Sequence, residues 1–190
     1  ESNARRYLIE SDLVEAIIAL PDKMFYNTGI GTFIWVLSNR KEDRRKGRIQ
    51  LIDATSMKSP LRKNMGEKNC ELTSEIRAEI VRIFMEMEES EVSRVFPNEE
   101  FGYWKVTVLQ PLMDEHNRPQ RDKKGKLMPD KEKTDSEIVP FTYEGSIEAF
   151  MKKEVHPYAP DAWVDEKKTQ IGYDLSFTKY FYKPMELRPI

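Results

Sequence analysis

Phe25 and Tyr26, followed by Asn27, form the most chemically suggestive cluster in the chain. Two adjacent aromatic rings can stack on a nucleic-acid base. The same pair at a strand end can equally be packing, and residue type alone leaves both readings open. Just beyond lies Gly29-Ile30-Gly31, which superficially suggests a phosphate loop. A dinucleotide or P-loop cradle needs a strand, a longer glycine spacing and a helix whose N-terminus meets the phosphate. Here the glycines lead directly into the apolar run TFIWVLS, with no third glycine and no Gly-Lys-Ser/Thr. They are expected to let the backbone turn sharply at positive φ.

Other chemistry is missing from the pattern. Cys70 is the single cysteine, which excludes an internal disulfide and fits a reducing cytoplasm. His116 and His156 are scattered and neither has a neighbour suited to a triad or a metal pair. No serine carries a nucleophile-elbow pattern, and Glu88-Glu89 and Glu99-Glu100 belong to solvent faces. By residue chemistry alone, no catalytic, cofactor-binding or metal residue is assigned.

Charge narrows the partners. Residues 1–70 carry 13 Lys/Arg against 9 Asp/Glu, whereas 71–117 carry 4 against 11 and 118–135 carry 7 against 4. The net charge of -2 therefore hides two basic blocks where a polyanion could be met, unless they are simply solvated loops. No apolar run approaches the roughly 18 residues of a membrane span, and no membrane partner is expected.

These residues must be positioned by regular elements. The spacing of Ala4, Tyr7 and Leu8 predicts the end of a helix at 3–12, and an opening in mid-helix without Met suggests a piece of something longer. VEAIIAL (14–20) is expected as a strand buried on both faces, ended by Pro21. TFIWVLS (32–38) is expected to be a second buried strand, and RIQLIDA (48–54) a third, paired with it as an antiparallel hairpin. The hairpin tip, with Arg40, Lys41, Arg44, Arg45 and Lys46, is expected to be exposed and mobile. Residues 55–72, with Lys58, Arg62, Lys63 and Lys68, read as a loop. Thr73 reads as the N-cap of an amphipathic helix over 74–89 with a core stripe of Ile76, Ile80, Ile83, Phe84 and Met87.

Residues 101–112 alternate as a strand, and the polar 113–137 reads as a linker. Ile147, Phe150, Met151 and Val155 mark a short helix before Pro157. The expected organisation is thus 1–112, a linker at 113–137, and an aromatic-rich extension over 138–190.

LIESDLVEAIIALPDKMFYNTGIGTFIWVLSN (8–39) and GRIQLIDAT (47–55) resemble the later part of the catalytic domain in modification subunits of type I restriction-modification systems, which are N6-adenine DNA methyltransferases. The resemblance continues through FGYWKVTVLQPL (101–112), EVHPYAPDAW (154–163) and GYDLSFTKYFYKP (172–184). It implies an α/β fold, the C-terminal part of a doubly wound methyltransferase sheet. In it 14–20 is the fifth strand and 32–38 with 48–54 the terminal hairpin, its antiparallel strand beside the fifth. It also implies S-adenosylmethionine in the parent protein. The family's Gly-rich cofactor loop and Asn-Pro-Pro-aromatic motif do not occur in this sequence, so no cofactor is expected on the fragment itself.

What remains is a wall for a flipped base through Phe25, Tyr26 and Asn27, and phosphate contacts through Arg40, Lys41, Arg44, Arg45 and Lys46. DNA and the specificity and restriction subunits are the implied partners, with self-association through the exposed edge of the fifth strand. The competing reading is an interaction module in which the region after 138 docks a specificity or restriction subunit. A third is an adaptor without its enzyme.

Overall fold

The computed structural model describes residues 2–182. Residues 183 and 184 of the last resembling block lie outside them, as does the rest of the aromatic-rich extension from 183 onward. The described chain forms two compact units, one of 3–98 with the return segment from 175, the other of 99–174.

The first unit opens with α1 (Ser2–Glu10), then β1 (Val14–Leu20), β2 (Thr32–Leu37) and β3 (Arg48–Asp53). A two-stranded ribbon of β4 (Ser59–Met65) and β5 (Lys68–Glu71) follows, then α2 (Ser74–Glu86) and β6 (Ser93–Pro97). The sheet order is β2-β1-β3-β6. β1 runs parallel to β3, with Ile17 opposite Leu51, and antiparallel to β2, with Ile18 opposite Ile34.

β1 is buried along nearly its whole length, as a strand flanked on both sides must be. Alternation sends Ile18, Leu20, Ile52 and Ala54 to one face, where Ile80 and Ile83 of α2 close the core. Fully burying each of the Ile and Leu side chains is worth about 1.5–3 kcal/mol. Thr73 caps α2 by accepting from the Ile76 amide, and Met87 ends it at φ 56. On the other face α4 (Phe177–Phe181) lays Tyr180 on Phe96 at a centroid distance of 4.3 Å and Phe177 against Phe33 at 5.2 Å.

Four expectations are corrected here. β2 and β3 do not pair: β1 lies between them, so the hairpin is β1–β2, joined through 21–31, and β3 returns to the far side of β1. An apolar period marks a strand but says nothing of its neighbour. β2 is not buried either. Phe33 and Leu37 are 50% exposed and Ile34 45%, because β2 is an edge strand with no neighbour beyond it among the described residues. Among the described residues the sheet edges are β2 and β6, and the presumed fifth strand 14–20 is interior. Residues 55–72, expected as a loop, contain the β4–β5 ribbon.

The second unit pairs β7 (Gly102–Leu109) antiparallel with β8 (Asp135–Pro140), β9 (Trp163–Val164) and β10 (Gln170–Tyr173). Between β8 and β9, α3 (Ser146–Phe150) continues into a π turn at Met151–Val155. Val106, Val108, Val139 and Met151 form its core, with Ile147, Phe150 and Val155 packed against them. The polar residues 113–137 are an excursion between two paired strands, crossed by backbone bonds such as Leu112 N–H to Met128 O at 2.8 Å. No helix among the described residues is long and apolar enough to cross a membrane.

Candidate nucleic-acid interface

β1 and β3 point their carboxyl ends the same way, and two segments emerge there. The first is 21–31, which begins at the buried Pro21. A bridge between Phe25 and Thr28 closes a tight turn, placing Tyr26 and Asn27 at its tip. Phe25 is 45% and Tyr26 59% exposed. The second segment is the β4–β5 ribbon, which follows β3.

The two segments are tied together. The Glu67 amide donates to Tyr26 O at 3.0 Å, and the Asn69 amide to Lys23 O at 3.0 Å. Cys70, 2% exposed, turns its Sγ to Asp22 O at 3.4 Å. At the ribbon turn Gly66 has φ +60, and a Cβ there would stand 2.9 Å from Tyr26 O. Only glycine fits both the backbone and the approach. Gly29 and Gly31 are the correction: neither lies in the left-handed region, and what sits near Gly31 is the Asp22 carboxylate, 3.3 Å from an added Cβ.

Beneath the turn, a crevice of about 380 Å³ is lined by Asp22, Thr32, Phe33, Asp53, Thr55 and Phe177, among others. Asp53 Oδ1 already accepts from the Thr55 hydroxyl at 2.6 Å and the Thr55 amide at 3.1 Å. Thr32 Oγ1 is buried without a hydrogen-bond partner.

The 39–47 cations lie elsewhere. They sit at the amino ends of β1 and β3, about 20 Å from the Phe25–Asn27 turn, given seven residues of strand at roughly 3.3 Å each. Nor is this connection a loose tip. Lys41, 8% exposed, reaches Asp12 Oδ1 at 2.5 Å and Arg48 O at 2.9 Å. Arg45, 3% exposed, lies over the Phe84 ring at 4.2 Å and donates to Gln50 Oε1 and to Phe84 O. Burial lowers its pKa, and Glu15 partly offsets that. Arg44 pairs with Glu42 at 2.7 Å and Lys46 with Asp43 at 2.6 Å, both exposed. Arg40 is exposed, and its backbone amide donates to Ser38 Oγ. The structure thus gathers Phe25, Tyr26 and Asn27 at one end and the five cations at the other.

The ribbon is what sequence reading missed. Arg62 and Lys63 are exposed on it and Lys68 half-buried, with exposed Lys58 just before it, and none has an ionic partner among the described residues. Its one sequence signal is Gly66-Glu67 between two short polar runs, a weak hairpin cue.

A family model described as N-6 DNA Methylase matches residues 1–107. The chain belongs to this family. Among curated relatives of this N-6 DNA methylase chain, the type I restriction enzyme MjaIX methylase subunit of Methanocaldococcus jannaschii is 31% identical over 112 residues, 59% of this chain and 19% of that one. The MjaVII methylase subunit of the same organism is 42% identical over 55 residues, 29% of this chain and 10% of that one. The HindI methylase subunit of Haemophilus influenzae is 44% identical over 54 residues, 28% of this chain and 12% of the relative. A type I methyltransferase subunit structure from Streptococcus thermophilus superposes with a TM-score of 0.44 at 24% identity, covering 50% of this chain and 19% of that one. The expected resemblance to type I modification subunits is borne out, and the chain spans between 10% and 19% of the length of these curated relatives.

Proposed function

We propose that the protein carrying this N-6 DNA methylase chain transfers a methyl group to adenine N6 in DNA as the modification subunit of a cytoplasmic type I restriction-modification system. The chain supplies strands of the methyltransferase sheet and part of the wall against which an extruded base rests, and it is not catalytic on its own. The observation that carries this reading is the exposed Phe25-Tyr26-Asn27 turn at the carboxyl end of β1. Ligands of open α/β sheets collect beyond carboxyl ends, and a base must leave the duplex stack to be modified.

S-adenosylmethionine would be the methyl donor of the parent protein. The residues present do not cradle it: β1 passes through a tight turn into β2, not through a Gly-rich turn into a helix N-terminus. No step is therefore derived through the cofactor here. At the opposite end, the exposed Arg40, Arg44 and Lys46 are proposed to meet phosphates, while Lys41 and Arg45 hold the fold.

The test is Phe25→Ala/Tyr26→Ala in the full-length subunit. Stacking is worth about 1–3 kcal/mol per base, so kcat/KM on duplex DNA should fall roughly 10–100-fold with cofactor affinity unchanged. Wild-type activity in that variant would retire the base-wall role.

Self-association through the uncharged free edge of β2 belongs to the same proposal, and sedimentation of Trp35→Lys against the parent chain checks it. Identical concentration dependence for both would remove it.

A second reading is favoured by a groove of about 810 Å³ in the second unit, lined by Ile147, Met151, Trp163 and Val164 with Lys152 and Glu166 also present. There the unit docks the specificity or restriction subunit. Ile147→Asp/Trp163→Ala should then lose co-purification with them, and equal recovery assigns docking elsewhere.

A further inference from the structure

The β4–β5 ribbon is built unlike the rest of the surface. The ribbon carries Arg62, Lys63 and Lys68 against Glu67 and Glu71, with Lys58 just before β4. The other basic connection pairs most of its cations with carboxylates: Lys41 with Asp12, Arg44 with Glu42, and Lys46 with Asp43. α2 does likewise, with Arg82 shared among Glu79, Glu86 and Glu88. Among the described residues none of the ribbon's cations forms an ion pair, so their charge faces solvent. Such side chains repel one another and gain most from an anionic partner with regularly spaced charges.

Position adds a second, independent argument. The ribbon turn is bonded to the tip of the aromatic turn through Glu67 N–H and Tyr26 O, and Gly66 permits that contact at close range. The cationic ribbon and the exposed rings are therefore joined, at the carboxyl ends of the parallel strands where ligands of open α/β sheets collect. A polyanion whose phosphates flank a displaced base fits this combination: charge on the strand, π-face on the base. A two-stranded ribbon is also narrow enough to follow a duplex groove about 12 Å wide.

We propose that the β4–β5 ribbon is a phosphate clamp, in which Arg62, Lys63 and Lys68 hold the DNA backbone next to the nucleotide that meets Phe25 and Tyr26. This rests on the reading that the parent protein acts on DNA. The clamp positions the strand without reading sequence. It enlarges the interface beyond the aromatic turn, to a segment that adopts no recognisable pattern in the sequence.

The experiment uses the full-length subunit and two fluorescent duplexes of unrelated sequence, with Kd measured against salt and methyl transfer measured alongside. Each phosphate contact contributes about 0.9 to the slope of log K against log salt. Arg62→Gln/Lys63→Gln/Lys68→Gln should lower that slope by roughly 2–3 and weaken binding at least about tenfold, equally on both duplexes. Arg62→Lys/Lys63→Arg/Lys68→Arg should keep the wild-type slope, which separates charge from folding. Lys153→Gln/Lys167→Gln in the second unit serves as the control for losing charge at random and should leave the slope within about one contact of wild type. An unchanged slope in the ribbon variant, or an equal fall in the control, overturns the clamp while methylation by the wild type leaves the DNA reading standing. A wild-type subunit that neither binds nor methylates either duplex brings down that reading, and the clamp with it.

Discussion

The Lys41 ammonium lies 2.5 Å from Asp12 Oδ1, joining the 39–47 connection to the end of α1 across the amino ends of the parallel strands. The same carboxylate accepts from Gly47 N–H at 2.9 Å and from Asn98 Nδ2 at 2.8 Å. One carboxylate thereby fastens three separate segments. Lys41→Met removes the charged partner and should cost about 2 kcal/mol in urea unfolding, the usual value for a hydrogen bond to a charged group. Lys41→Gln should recover only part of it.

This cluster sets an acid limb. Partial burial pushes the Asp12 carboxyl up, but hydrogen bonds from Lys41, Gly47 and Asn98 outweigh that and hold it below the usual range. A folded-state value below the unfolded one means the stabilisation is complete above the unfolded value, near 3.9, and fades as pH falls through the folded one. Urea midpoints for the wild type should therefore drop more steeply below about pH 4 than those of Asp12→Asn. Parallel curves would show that the cluster is not the source.

Gln50 is fully buried in β3, its Nε2 donating to Ile83 O at 3.0 Å and Ser93 Oγ at 2.9 Å. Its Oε1 receives Arg45 at 3.3 Å. Gln50→Leu keeps the volume but leaves a buried guanidinium and a carbonyl short of partners. The expected loss is roughly 2–4 kcal/mol. Adding Ser93→Ala should cost less than in the wild-type background, because the two side chains share one network. Full additivity would contradict the network.

Gly66→Ala and Gly47→Ala form a matched pair. Both glycines have positive φ, +60 and +67, but an added Cβ meets Tyr26 O at 2.9 Å only at Gly66, while Gly47 faces open space. Gly47→Ala should cost about 1 kcal/mol of backbone strain. Gly66→Ala should cost more and also expose the Glu67 amide to hydrogen exchange as the ribbon lifts from the aromatic turn. Equal protection of that amide in both variants would mean the ribbon is not anchored there.

Some of this architecture was legible from residue order alone. Seven apolar-rich residues from Val14 read correctly as a buried strand, and Thr73 with the Ile76, Ile80 and Ile83 stripe read correctly as a capped helix. Those signals are local: a cap needs one side chain, a stripe needs one period. Strand order was not legible, since β1, β2 and β3 share the same apolar character and periodicity carries no partner. The burial of Lys41 and Arg45 was hidden for a different reason. Long cationic side chains can fold back over their own stems, and only the positions of Asp12, Gln50 and Phe84 decide whether they do. Of the site, the aromatic turn was visible by composition. The ribbon was not, because its strands lack alternation and its meaning comes from the Glu67–Tyr26 bond across forty residues.

The sole thiol is stored at the joint between ribbon and loop, facing the carbonyls of Asp22 and Lys23. An alkylating reagent reaches Cys70 only when that joint springs apart, so labelling kinetics become a stopwatch for its opening. DNA that grips both sides of the joint should slow the stopwatch, giving a readout of engagement that needs neither turnover nor an added dye.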